Sequence, residues 1–137
     1  MNMLDLQTAR EGDELPQLKL PPITRYQLAL YCGGSGDHNP IHVDTDFARS
    51  AGMKDVFAHG MLSMGFMGRL VSSLASPARV KSFGVRFVAI TWVGDEITVR
   101  GRVVAVDTLQ KQVTLELNCV NQKGETTLQG RATLSFA

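Results

Sequence analysis

The chain has 137 residues, 44% of them apolar, with 14 Lys and Arg against 13 Asp and Glu and a formal charge of +1. One nearly neutral domain spanning residues 1–137 is expected, able to bury ~68% of the surface its unfolded form exposes, so neither disorder nor dependence on disulfide or metal staples fits. Scattered charge gives no footprint for nucleic acid, no apolar run reaches the ~18 residues of a membrane span, and MNMLDLQTAREGD is too acidic and broken for a signal peptide, so a soluble, cytoplasmic protein is expected.

Residues Leu15 to Leu20 can extend, and Pro21-Pro22 bars both a helix and a central ladder position, so this segment reads as an edge strand. Thr24 with Gln27 three residues on forms a capping box, and Ile23 with Leu28 a hydrophobic staple. The helix that follows should run to about Cys32 and end at Gly33-Gly34, since glycine enters the left-handed cap without penalty. Asp44 caps a second short helix stopped by Gly52. From about Gly60 to Ala75, Met61, Leu62, Met64, Phe66, Met67, Leu70, Val71 and Leu74 surround most of the helical circumference, the pattern of a buried helix. Gly65 and Gly68 each cost it ~1 kcal/mol relative to alanine, which implies a close approach to its backbone.

After Pro77 the period changes to alternation, with Phe83, Val85, Phe87; Ile97, Val99, Val103; Val113, Leu115, Leu117, Cys119; and Leu128, Ala132, Leu134, Phe136 on one face. Turn signals at Gly94-Asp95, Asp107-Thr108 and Lys123-Gly124 predict an antiparallel meander. The fold class is α+β, with a long antiparallel sheet wrapped around the central helix. Cys32 and Cys119 match no metal or redox spacing and read as small buried hydrophobes.

The candidate chemistry lies in the polar loop Gly36-Asp37-His38-Asn39-Pro40-Ile41-His42. Pro40 stops any helix and sets a tight turn, so Asp37 and His42 can converge on one water, a carboxylate and an imidazole supplying base and acid. Read from spacing alone, the same residues also make an ordinary Asx turn followed by a structural histidine. Zinc is disfavoured: His38 and His42 flank Pro40 and lack helical i, i+4 geometry. His59-Gly60 stands before the buried helix, where free amides and the positive dipole end suit an oxyanion. A lone His-Gly there also fits a plain helix cap and turn.

Taken together, Ser35-Gly36-Asp37-His38-Asn39-Pro40-Ile41-His42, Ala58-His59-Gly60-Met61-Leu62-Ser63-Met64-Gly65, and Val85-Arg86-Phe87 ahead of Gly94-Asp95 resemble the MaoC-like (R)-specific enoyl-CoA hydratases and the related (3R)-hydroxyacyl-ACP dehydratases, over nearly the whole chain. The resemblance implies a single hot-dog domain, paired as a homodimer or with another hot-dog subunit. It implies reversible hydration of trans-2-enoyl thioesters of CoA or acyl carrier protein in fatty-acid or steroid side-chain metabolism, with no cofactor and no metal. Asp37 and His42 are then catalytic, Asp37 taking a proton from water and His42 helping to deliver one to C2, with exchange of these roles open. Gly60 polarises the thioester carbonyl, and Asn39, Pro40, His59, Ser63 and Gly65 shape the site. Gly65 stands where some members carry serine. A subunit contributing only part of a heteromeric site, or a thioesterase on the same architecture, are the alternatives.

Overall fold

Thr24 starts the first helix through its own hydroxyl, which accepts the Gln27 amide at 3.0 Å, while Ile23 and Leu28 are both buried. The computed structural model describes residues 3–137, so the first two residues of the N-terminal stretch lie outside it. Helix α1 (Arg25–Ser35) continues through Gly33-Gly34, contrary to the sequence expectation. Glycine permits a left-handed cap without imposing one, and the reversal falls at Gly36, with φ of 76° and its N–H donated to the Cys32 carbonyl. Helix α2 (Thr45–Ser50) is capped by Asp44, whose carboxylate accepts the Phe47 amide at 3.0 Å.

Helix α3 (Gly60–Leu74) buries Leu62, Phe66, Met67, Leu70, Val71 and Leu74 and touches all four long strands. It is not covered all round: Met61 is 55% exposed, and Gly65, Arg69 and Ser72 continue the same stripe. The close approach expected at its glycines occurs at Gly68, where a Cβ would come 3.3 Å from the Phe83 ring; a Cβ on Gly65 would meet open space.

The strands are β1 (Leu18–Lys19), β2 (Val80–Phe87), β3 (Thr98–Asp107), β4 (Gln112–Val120) and β5 (Thr126–Ser135), in the order β1-β3-β4-β5-β2. All pairings are antiparallel. The expected edge strand is present but short. Strands β3, β4 and β5 form the meander read from the alternation, whereas β2 departs from it and pairs with β5, from Val80 opposite Leu134 to Phe87 opposite Leu128. The reason lies in the Gly94-Asp95 turn, which is tied to the entry of α1 instead of closing a hairpin. The Gly94 amide donates to the Ile23 carbonyl, the Ile23 amide to the Asp95 carbonyl, and the Asp95 carboxylate accepts the Trp92 amide and the Gln122 side chain. The inward rows of β3, β4 and β5, including Val99, Val103, Leu115, Leu117, Leu128 and Leu134, close the core over α3. Cys32 and Cys119 are free and buried, and burial pushes the Cys119 thiol up to about 12, as befits a small hydrophobe.

Candidate active site

The polar loop folds as a chain of local hydrogen bonds. The Ser35 hydroxyl accepts the Asp37 amide at 3.1 Å, Asp37 Oδ1 accepts the Asn39 amide at 3.2 Å, and Asn39 Oδ1 accepts the Ile41 amide at 3.1 Å. Pro40 then opens a single 3-10 turn, Pro40–His42, which swings His42 back toward Asp37. Asn39 and Pro40 thus shape the turn. With Oδ1 engaged, Asp37 presents Oδ2, which lies 4.0 Å from His42 Nε2; the Asp37 side chain is 54% exposed and that of His42 only 10%. His38, between them, is exposed.

Because a carbonyl only accepts, the 2.7 Å contact between His42 Nδ1 and the Phe57 carbonyl fixes the proton on Nδ1. When the ring is neutral, its lone pair therefore lies on Nε2, turned toward Asp37. Two acceptors 4.0 Å apart do not bond each other, but ordinary hydrogen bonds of ~2.8 Å from one water to both would subtend about 90° at its oxygen, near the water's own bond angle.

His59 occupies the N-cap position of α3 without making a side-chain cap bond. Its ring turns into the site and stacks on His42, centroids 3.8 Å apart and planes 24° from parallel, with Tyr31 edge-on at 4.8 Å. Its Nε2–H donates to the Asp37 carbonyl at 3.3 Å, and Cys32 Sγ lies 3.5 Å from the same nitrogen. Nδ1 is buried and has no hydrogen-bond partner among the described residues. Burial, then the neighbouring His42, push the His59 pKa down, against the smaller opposing pull of Asp37. Sequence spacing gave no sign of this stack.

Gly60 opens α3, and the first amides of a helix have no intrahelical acceptor. A Cβ there would lie 2.7 Å from the Phe87 ring, so glycine is required for that ring to close over the helix start. Gly60, buried Ser63, Phe57, Phe87, Thr127 and Leu128 help line a cavity of about 160 Å³ beside it. Gly65 is not brought in: it lies on the exposed stripe, one turn beyond Met61. Phe57 and Phe87 were missed as site residues. A backbone carbonyl leaves no trace in sequence, and Phe87 reads as one more member of the alternating core row.

Asp37, His42 and His59 offer donor atoms all within 4.8 Å of one another, with His59 in place of the His38 considered from the sequence. His59 Nε2 is already committed to the Asp37 carbonyl, and stacked rings direct their in-plane lone pairs side by side. That suits a shared water better than the convergent tetrahedral set of a zinc site.

The MaoC like domain family model matches residues 7–124. An (R)-specific enoyl-CoA hydratase of Rhodospirillum rubrum is 32% identical over 114 residues, covering 82% of this chain and 78% of the relative. The 3-oxo-4,17-pregnadiene-20-carboxyl-CoA hydratase beta subunit of Mycobacterium tuberculosis is 34% identical over 99 residues, 70% of this chain and 74% of its own. Among solved structures, a chain of the ChsH1-ChsH2 complex from Mycobacterium tuberculosis superposes with a TM-score of 0.81 at 27% identity, over 93% of this chain and 98% of that one. The architecture is therefore the hot-dog fold, and the chain belongs to the MaoC like domain family.

Proposed function

We propose that this protein is a hydro-lyase that reversibly adds water across C2=C3 of a trans-2-enoyl thioester to give an (R)-3-hydroxyacyl thioester, the acyl group being carried on the pantetheine of CoA or acyl carrier protein. The observation that carries this reading is the pair of acceptors, Asp37 Oδ2 and His42 Nε2, 4.0 Å apart beside the start of α3. The water donates one hydrogen to each and keeps a lone pair for C3. As its oxygen bonds C3, its O–H proton passes to one of the two acceptors and the C2=C3 pair moves onto the thioester carbonyl. The Gly60 amide stabilises the resulting enolate oxygen, and C2 collects the proton. His42 has its one ring proton committed to Phe57, so any proton it delivers to C2 is one it first took from water. The step balances with water alone and calls for no metal or redox group. The (R) product is supported by the name of the Rhodospirillum relative.

The same reading includes pairing with a second hot-dog subunit, identical or not. It is supported by β2, which has one strand neighbour among the described residues, by the exposed stripe on α3, and by a structural relative solved as a two-component complex.

The test follows the enoyl-thioester absorbance of crotonyl, long-chain and carrier-bound substrates alongside a thiol probe and chiral analysis of the product. Loss of conjugation without thiol release, yielding the (R) alcohol, is expected. Thiol release would mean a thioesterase, and an unchanged signal with every substrate would overturn the reading.

A further inference from the structure

His59 is buried, stacks on one proposed catalytic side chain and donates to the backbone of the other. A ring needed only to fill space would be better replaced by an apolar one, because Nδ1 is buried and finds no partner among the described residues. We propose that His59 is a positioning residue for hydration: its Nε2–H ties down the Asp37 backbone while its ring face carries the His42 ring, holding the two acceptors at the separation one water spans.

The inference rests on the proposed hydratase function and adds a residue to it. The titratable groups facing His59 are His42, Asp37, Cys32 and Tyr31; two of these are the groups whose geometry the reaction uses. A charged His59 would oppose charge gathering on His42 as it takes the water's proton. Its burial among these neighbours keeps that charge away.

Two substitutions separate the parts of the role. His59→Phe keeps the stacked face and loses the donor. His59→Gln loses the face and keeps a donor at the reach of Nε2. In His59→Phe, kcat should fall about tenfold to a hundredfold with KM within about twofold and Tm no lower than wild type. His59→Gln should recover a large part of kcat although its packing is worse. A His59→Phe kcat within about twofold of wild type, or a loss of kcat matched by an equal loss in folded protein, would overturn the proposal.

Nitrogen-15 imidazole spectra of the wild-type protein supply a readout independent of turnover and of whether either variant folds. A proton on His42 Nδ1, and neutral His59 protonated at Nε2, are expected near pH 7. Finding His59 protonated at Nδ1, or at both nitrogens, would refute the arrangement. If wild-type protein hydrates no enoyl thioester while these tautomers are observed, the hydratase reading fails and the structural half of the inference stands.

Discussion

Replacing Asp37 by asparagine tests the proposed chemistry with almost no change in shape. The Asn39 amide needs an acceptor at the position of Oδ1, where it now sits 3.2 Å away, so the new side-chain oxygen is held there and its NH2 group takes the place of Oδ2. That group faces His42 Nε2, 4.0 Å away in the native pair, and donates where the water must donate. The water then spends a lone pair on the introduced NH2 group and turns away from C3, and the carboxylate that shared its proton is gone. Loss of a general base of this kind costs ~10²–10⁴ in rate, about 2.7–5.4 kcal/mol of barrier. Because the native side chain is 54% exposed, Tm should hardly move. The assay is the initial rate of enoyl-thioester absorbance loss, with Asp37→Ala beside it. Alanine presents no donor and admits a second water, so it should retain at least as much activity as asparagine. An asparagine variant within about tenfold of wild type, or clearly faster than alanine, would refute the two-acceptor arrangement.

Since neither acceptor faces the water with a proton of its own, the C2 proton and the C3 hydroxyl should arrive from one side; hydration in D2O should place deuterium syn to the new hydroxyl by NMR, and anti addition would contradict the mechanism. Gly101→Ala should lower stability by about 1–3 kcal/mol, roughly 3–10 °C in Tm by calorimetry, because the new Cβ would meet the Glu116 carbonyl and Leu15 at 2.9 Å and Leu117 at 2.7 Å; an unchanged Tm would show that this crossing can relax. The depressed pKa of His59 makes its contribution to stability present above the unfolded value of 6.5 and lost as pH falls below it, since the unfolded chain then binds more protons. Tm should therefore drop more between about pH 7 and 5 in wild type than in His59→Phe, and parallel curves would show that His59 is not held neutral.

What the sequence revealed was local. Thr24, Asp44 and Pro40 act on amides or dihedrals within a turn of themselves, so the helix starts and the convergence of Asp37 with His42 were readable. Gly33-Gly34 misled because two adjacent glycines mark permission to turn, and the choice among Gly33, Gly34 and Gly36 was settled by the hydrogen bond back to Cys32. The partner of β2 was invisible because alternation reports which face is buried, not which strand lies alongside. In the site, residues brought together by the chain's own turn were found, while the His59 stack, the Phe57 carbonyl and the Phe87 ring over Gly60 depend on where α3 and β2 dock. Gly65 was misplaced for the same reason, since helical spacing alone does not say which side of α3 faces the sheet.

The late partner of β2 also bears on how the chain reaches this structure. Strands β3, β4 and β5 are joined by short turns and can zip one after another, at low loop-closure cost. Strand β2 leaves α3 early, yet Val80 must wait for Leu134, so the helix and the strand behind it have no finished sheet to rest on until the meander exists. Contacts of such sequence separation are slow to form, so pairing of β2 with β5 is expected to be slower than closure of the meander. The roof of the candidate site, Phe87 over Gly60, depends on the same pairing through Phe87 opposite Leu128, so formation of that site is expected to follow completion of the sheet.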